Sequence, residues 1–183
     1  MRPVERTGAG GQAPHPVRIC FVCTGNICRS PMAAAVARDR LARAGLAGRV
    51  EVDSAGLIDR WVGEPADARA EDTLLERGYD PSHTARVWDP AWYDERDLIV
   101  AIDRGQASRL RDRAPDPQAA ARVVLLRAFE PGNPGGRELD VPDPYFGGGD
   151  GFDRVLDIIE RAVDGLIEAL PSLLDRPPGN PAP

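Results

Sequence analysis

Lysine is missing from the chain: every one of its 23 basic side chains is arginine. The bias is that of GC-rich codons, although arginine also suits bidentate binding of oxyanions. An excess of positive charge is missing too. The formal net charge is −6 and the sequence pI about 5.0, which excludes a nucleic-acid binder held by phosphate contacts. No apolar run approaches the roughly 20 residues that cross a bilayer, so no membrane partner is expected. The opening segment "MRPVERTGAGGQAPHP" has no apolar stretch of the secretory kind. Cysteine is scarce and odd in number, at three, which excludes a disulfide framework. The expected compartment is a reducing cytoplasm.

What remains is the composition of a globular protein, 42% hydrophobic and 28% charged, in 183 residues that suffice for one full-sized core. Residues 1–16 and 171–183 are rich in Pro and Gly and read as disordered tails around a domain at 17–170. Inside it, short apolar runs alternate with helical patterns. "VRICFVC" (17–23), "RVEVDSAG" (49–56), "DLIVAID" (97–103) and "ARVVLL" (121–126) read as buried strands. Helices are expected over 31–44, over 67–79 with a stop at Gly78, and over 105–112. The last helix carries Phe152, Val155, Leu156, Ile159, Val163, Leu166, Ile167 and Leu170 on one stripe. Near-continuous apolar strands separated by helices predict a single doubly wound α/β domain, with a central four-stranded parallel sheet and helices on both faces.

The stretch "CTGNICRSP", from Cys23 to Pro31, lies where the first strand ends. Ligands of a doubly wound sheet bind outside the carboxyl ends of its strands. Thr24, Gly25, Asn26, Ile27 and Cys28 form a loop whose N–H groups can face one point together with a helix N-terminus, an arrangement suited to phosphate-like anions. Gly25 lets the backbone pass close, and Asn26 tolerates left-handed geometry. Arg29 supplies a planar fork for two oxygens. Ser30 is expected to cap the helix, with Pro31 in its first turn. The positive field of the loop favours Cys23 as a thiolate, a nucleophile facing a bound phosphate monoester.

Metal binding does not fit. Cys20 and Cys23 are three apart in a strand and point to opposite faces. The only histidines are His15, in the tail, and His83, so no second ligand pair exists for zinc. A single Gly/Asp run is a weak calcium signal. No metal and no cofactor are expected.

The segment "VCTGNICRSPMA" resembles the signature of the low-molecular-weight protein tyrosine phosphatases: Cys, five residues, Arg, Ser at the first strand–helix junction. "DSAGL" (53–57), "WVGEPAD" (61–67), "SHTAR" (82–86) and "DVPDPYFG" (140–147) extend the resemblance over about 17–170. It implies Cys23 as nucleophile, Arg29 as phosphate clamp and Ser30 as hydroxyl donor to the thiolate. It also implies a hydrogen-bond network of Asn26, Ser54 and His83 bracing the loop, and a reversible Cys23–Cys28 bond that shields the nucleophile. Arsenate reductases share the loop but need resolving cysteines downstream, and none follows Cys28.

A phosphorylated phenol leaves faster when its oxygen is protonated, so a carboxylic acid is needed opposite the thiolate. "DVPDPYFGGGDGFD" offers Asp140, Asp143, Asp150 and Asp153. The "DPY" triplet matches the family's acid loop and points to Asp143, with Asp140 as second candidate. Asp150 and Asp153 suit the N-terminus of the last helix. Trp61, Tyr145 and Phe146 are candidate walls for an aromatic leaving group. The implied function is hydrolysis of phosphotyrosine in proteins through a cysteinyl-phosphate. Phosphoarginine is the alternative substrate, disfavoured by the aliphatic Ile27, and a non-catalytic phosphate-binding module is the alternative class.

Overall fold

Strand order rather than strand content sets where a ligand can sit. In the computed structural model, which describes residues 15–133, 138–148 and 150–174, four parallel strands run β1 (Val17–Cys23), β2 (Val50–Gly56), β3 (Leu98–Ala101) and β4 (Val123–Leu125) along the chain. In space the order is β2-β1-β3-β4. The chain moves from β1 to β2 on one side, then crosses to β3 on the other. A crevice opens at that reversal, outside the carboxyl end of β1. Cys23 pairs with Gly56 at the top of the β1–β2 ladder, and β1 meets β3 up to the pair Val22 and Ala101.

The alternation along β1 divides the core. Ile19, Phe21 and Cys23 face a layer that holds α1 (Arg29–Arg43), α2 (Ala68–Glu76) and α6 (Gly151–Leu174). Cys20 and Val22 face the opposite layer, with α3 (Trp92–Glu95), α4 (Arg104–Asp112) and α5 (Pro117–Ala121). Cys20 is thus a buried strand residue turned away from Cys23. On α6, the side chains of Phe152, Val155, Leu156, Ile159, Val163, Leu166 and Leu170 are all buried. Each contributes about 1.5–3 kcal/mol relative to exposure.

Several boundaries differ from those read in the sequence. The first helix begins at Arg29, two residues before Pro31, with Cys28 at its N-cap position and no side-chain cap. Ser30 therefore lies inside the first turn and is not the cap. The fourth strand shrinks because Asp116 accepts from the Ala119 amide at 2.8 Å and caps α5, with Pro117 in its first turn. Its far end turns into a 3₁₀ segment at Leu126–Phe129. α3 is four residues long, too short for periodicity to reveal. The last helix runs through Pro171 to Leu174, past the expected boundary at 170. Proline so near a helix end removes only one late hydrogen bond. Gly78 stops α2 as expected, with φ of 79°. Of the expected tails at 1–16 and 171–183, residues 1–14 and 175–183 lie outside the described residues.

Candidate active site

The loop after β1 is shaped by one buried amide side chain. Asn26 has φ of 59°, in the left-handed region that asparagine tolerates. Its Nδ2 donates to the hydroxyls of Ser30 and Ser54, each at 2.9 Å, and its Oδ1 accepts from the Arg86 amide at 2.9 Å. His83 Nε2 lies 2.7 Å from the Asn26 carbonyl. A carbonyl only accepts, so Nε2 carries the proton. Burial pushes the His83 pKa down, which keeps the ring neutral. Asn26, Ser54 and His83 thus meet in one network, and Arg86, which the sequence did not flag, completes it.

With Asn26 held in this way, its own amide turns toward the end of β1. The Asn26 N–H donates to Cys23 Sγ at 3.3 Å. Among the described residues, the amides of Gly25, Ile27, Cys28, Arg29 and Ser30 have no protein acceptor. The last two open α1, so the helix N-terminus adds its positive end to the cradle. Cys23 Sγ sits at the floor, buried, 3.0 Å from Ser30 Oγ. Cys28 is buried in the same loop, and desolvation with the nearby Asp67 and Cys23 pushes its thiol up to about 12. All three cysteines are free.

Two glycines keep the cradle in shape, for different reasons. A Cβ on Gly25 would lie 2.7 Å from the Trp61 ring, so this glycine makes room for an aromatic wall. A Cβ on Gly56 would lie 2.9 Å from Thr24 O and 3.1 Å from Asn26 N. There the obstacle is the loop backbone itself. Gly56→Ala is expected to destabilise the protein by about 1–3 kcal/mol, the usual cost of overpacking, read by denaturant unfolding.

Arg29 is buried, and both of its terminal nitrogens have partners. Nη1 donates to Asp103 Oδ2 at 3.1 Å and to the Val141 carbonyl at 3.0 Å, while Nη2 meets Asp143 Oδ2 at 3.3 Å. Asp103 was missed in the sequence. It stands at the carboxyl end of β3, N-caps α4, and shares a capping box with Gln106. Gln106 in turn donates to Thr24 Oγ1 at 3.2 Å. The available signal was D-x-x-Q following a buried strand.

The two candidate acids separate clearly. Asp140 is bound by the Arg104 amide at 2.7 Å and by its guanidinium at 2.9 Å. Those bonds hold its carboxyl below the ordinary carboxylate range. Asp143 reaches the crevice instead. Beside it, Trp61 and Tyr145 meet edge to face with centroids 6.1 Å apart. Phe146 packs on Tyr145 at 4.9 Å but is 91% exposed, an outer rim rather than a wall. Asp153 lies in the first turn of α6, as expected. Among the described residues no cluster of three His, Cys, Asp or Glu could hold a metal ion, and no helix is long and apolar enough to cross a membrane.

The profile of the family "Low molecular weight phosphotyrosine protein phosphatase" matches residues 18–174. The chain belongs to that family. The low molecular weight protein-tyrosine-phosphatase of Streptomyces coelicolor is 51% identical over 153 residues, covering 84% of this chain and 93% of that protein. The low molecular weight protein-tyrosine phosphatase A of Mycobacterium tuberculosis is 43% identical over 151 residues, covering 82% and 90%. Among solved structures, a protein tyrosine phosphatase from Entamoeba histolytica with Hepes in its active site superposes with a TM-score of 0.80 at 35% identity, covering 85% of this chain and 97% of that one. YfkJ from Bacillus subtilis gives a TM-score of 0.80 at 30% identity, covering 88% and 98%. The doubly wound four-stranded sheet expected from the sequence is the fold of these low molecular weight phosphatases.

Proposed function

We propose that the protein is a hydrolase that removes phosphate from phosphotyrosine in proteins, with Cys23 as nucleophile and without a metal. The observation that carries this is the buried Cys23 sulfur, which accepts from the Asn26 amide of its own loop, where the amides of Gly25, Ile27, Cys28, Arg29 and Ser30 have no protein acceptor among the described residues. A phosphate seated on those amides has its phosphorus in line with the sulfur and its equatorial oxygens on the Arg29 fork. Ser30 donates to the thiolate. Attack forms the S–P bond as the phenolic oxygen leaves, taking a proton from Asp143. Water then attacks the cysteinyl-phosphate, gives a proton back to Asp143, and releases phosphate and Cys23. The Trp61 and Tyr145 rings flank the departing phenol.

In this account the enzyme works in the cytoplasm, where Cys23 stays reduced. The deciding test is vanadate-sensitive phosphate release from phosphotyrosine, phosphoarginine and phosphoserine peptides. Release from phosphotyrosine is expected. Release from phosphoarginine alone would overturn the substrate, and no release at all would leave a phosphate-binding module.

Arg29→Lys tests the clamp. A point charge replaces a bidentate fork, and the equatorial charge of the transition state loses one of its holders. The expected loss in kcat/KM is on the order of 10²–10³, comparable to removing a preorganised oxyanion donor. Near-normal activity would remove Arg29 from the mechanism.

A further inference from the structure

We propose that Arg69 is a positioning residue, which straps the loop carrying Asp143 to the phosphate-binding loop and keeps the acid aligned while Arg29 holds phosphate. The proposal rests on Asp143 being the general acid.

Arg29 faces two demands in the structure. Its Nη2 meets Asp143 Oδ2 at 3.3 Å, yet its fork is also the group that must hold phosphate oxygens. A carboxylate paired with a guanidinium has no proton to give. The contact must therefore break before Asp143 can donate to a leaving group, and something else has to keep the loop in place. Val141 anchors the upstream side, donating to the Ile102 carbonyl at 3.0 Å. Downstream of Asp143, most hydrogen bonding is internal: Tyr145 N–H donates to Asp143 Oδ1 at 3.2 Å, and Gly147 N–H to the Pro144 carbonyl at 3.0 Å.

The exception is Arg69. Its Nη1 and Nη2 donate to the Tyr145 carbonyl at 3.3 and 3.2 Å. Among the described residues these are the only hydrogen bonds from another element to the stretch from Pro144 to Gly148. The same guanidinium lies 5.7 Å from the Tyr145 ring centroid and 4.7 Å from that of Phe152, at the start of α6. Both ends of the downstream segment thus meet one side chain.

The other end of the strap is fixed to the phosphate-binding loop. Asp67 grips Arg69 bidentately, with Nε to Oδ1 at 2.9 Å and Nη2 to Oδ2 at 2.8 Å. Asp67 also N-caps α2, and its amide donates to the Ile27 carbonyl at 2.7 Å. A continuous path runs from Ile27 through Asp67 and Arg69 to Tyr145, two residues from the acid. Arg69 is 47% exposed in its side chain, and an exposed pair adds little to global stability. Its effect belongs to alignment.

The test compares kcat/KM, which reports the step that expels the phenol, for a phosphotyrosine peptide and for 4-nitrophenyl phosphate, whose acidic phenol departs without much help. Misplacing a catalytic group by about 1 Å costs up to about 10²-fold, so Arg69→Ala should slow the peptide roughly 10- to 100-fold. It should slow 4-nitrophenyl phosphate less than about 3-fold, because that leaving group needs little acid assistance. Arg69→Lys should not restore the peptide rate, since one ammonium cannot grip Asp67 bidentately and also reach Tyr145 O. Combined with Asp143→Ala, the Arg69→Ala change should add no further loss on the peptide. Equal slowing of both substrates, or additive losses in the double variant, would overturn the strap. If Asp143→Ala by itself fails to discriminate between the substrates, the acid assignment falls and takes the strap with it. If Asp143→Ala discriminates and Arg69→Ala does not, only the strap falls.

Discussion

Cys23→Ser is expected to abolish steady-state turnover while leaving phosphate and vanadate able to bind. In the proposed mechanism the anion is held by the amides of the loop and by Arg29, whereas the attack on phosphorus is made by sulfur alone. The local fold should tolerate the change. Among the described residues, Cys23 Sγ meets only Ser30 Oγ at 3.0 Å and the Asn26 amide at 3.3 Å as polar partners, and a hydroxyl can accept from the amide and bond to Ser30 in the same way. Titration with phosphate or vanadate should give an affinity within about 10-fold of the parent protein, because the oxyanion donors are intact. A variant that binds but does not turn over separates the nucleophile from the cradle. Measurable steady-state turnover by Cys23→Ser would show that another group attacks.

The second large effect is a dependence on the leaving group. Asp143→Ala is expected to lower kcat/KM for a phosphotyrosine peptide by roughly 10²–10⁴, the span of acid–base assistance. An aryl phosphate with a very acidic phenol should lose much less, since that phenolate departs without a proton. Asp140→Ala should show no such dependence, because Asp140 is spent on Arg104 at 2.7 and 2.9 Å. Any effect it has should reach both substrates alike. If Asp140→Ala discriminates between leaving groups and Asp143→Ala slows both equally, the acid is Asp140.

The cradle after β1 was legible because it is local. The cradle is built by consecutive residues, and the strand before it and the helix after it are both coded by their own apolar spacing. Cys23, Arg29 and the loop between them could therefore be read as one unit. The same holds for Gly78, whose left-handed φ stops α2, and for the stripe on α6, where each apolar residue follows from the helical period. Opposite faces for Cys20 and Cys23 needed only the two-residue repeat of a strand.

What the sequence could not show was who meets across the crevice. Ser30 looks like a helix cap in sequence, but the helix opens at Arg29, two residues before Pro31, and only the family resemblance, not local helix coding, pointed its hydroxyl at Cys23. Asp103, 74 positions from Arg29, becomes its partner only because β3 lies next to β1 in the sheet. Asp140 and Asp143 are near neighbours in one loop, and no local pattern makes one an ion-pair partner of Arg104 and the other a neighbour of Arg29. Arg69 carries no motif of its own, and only the packing of α2 against the start of α6 brings it under Tyr145. Sequence periodicity determined the elements and the cradle, since these depend on residues within a few positions of one another. Tertiary structure decided the pairing of charges, because each pair joins segments whose separation is set by strand order and helix packing.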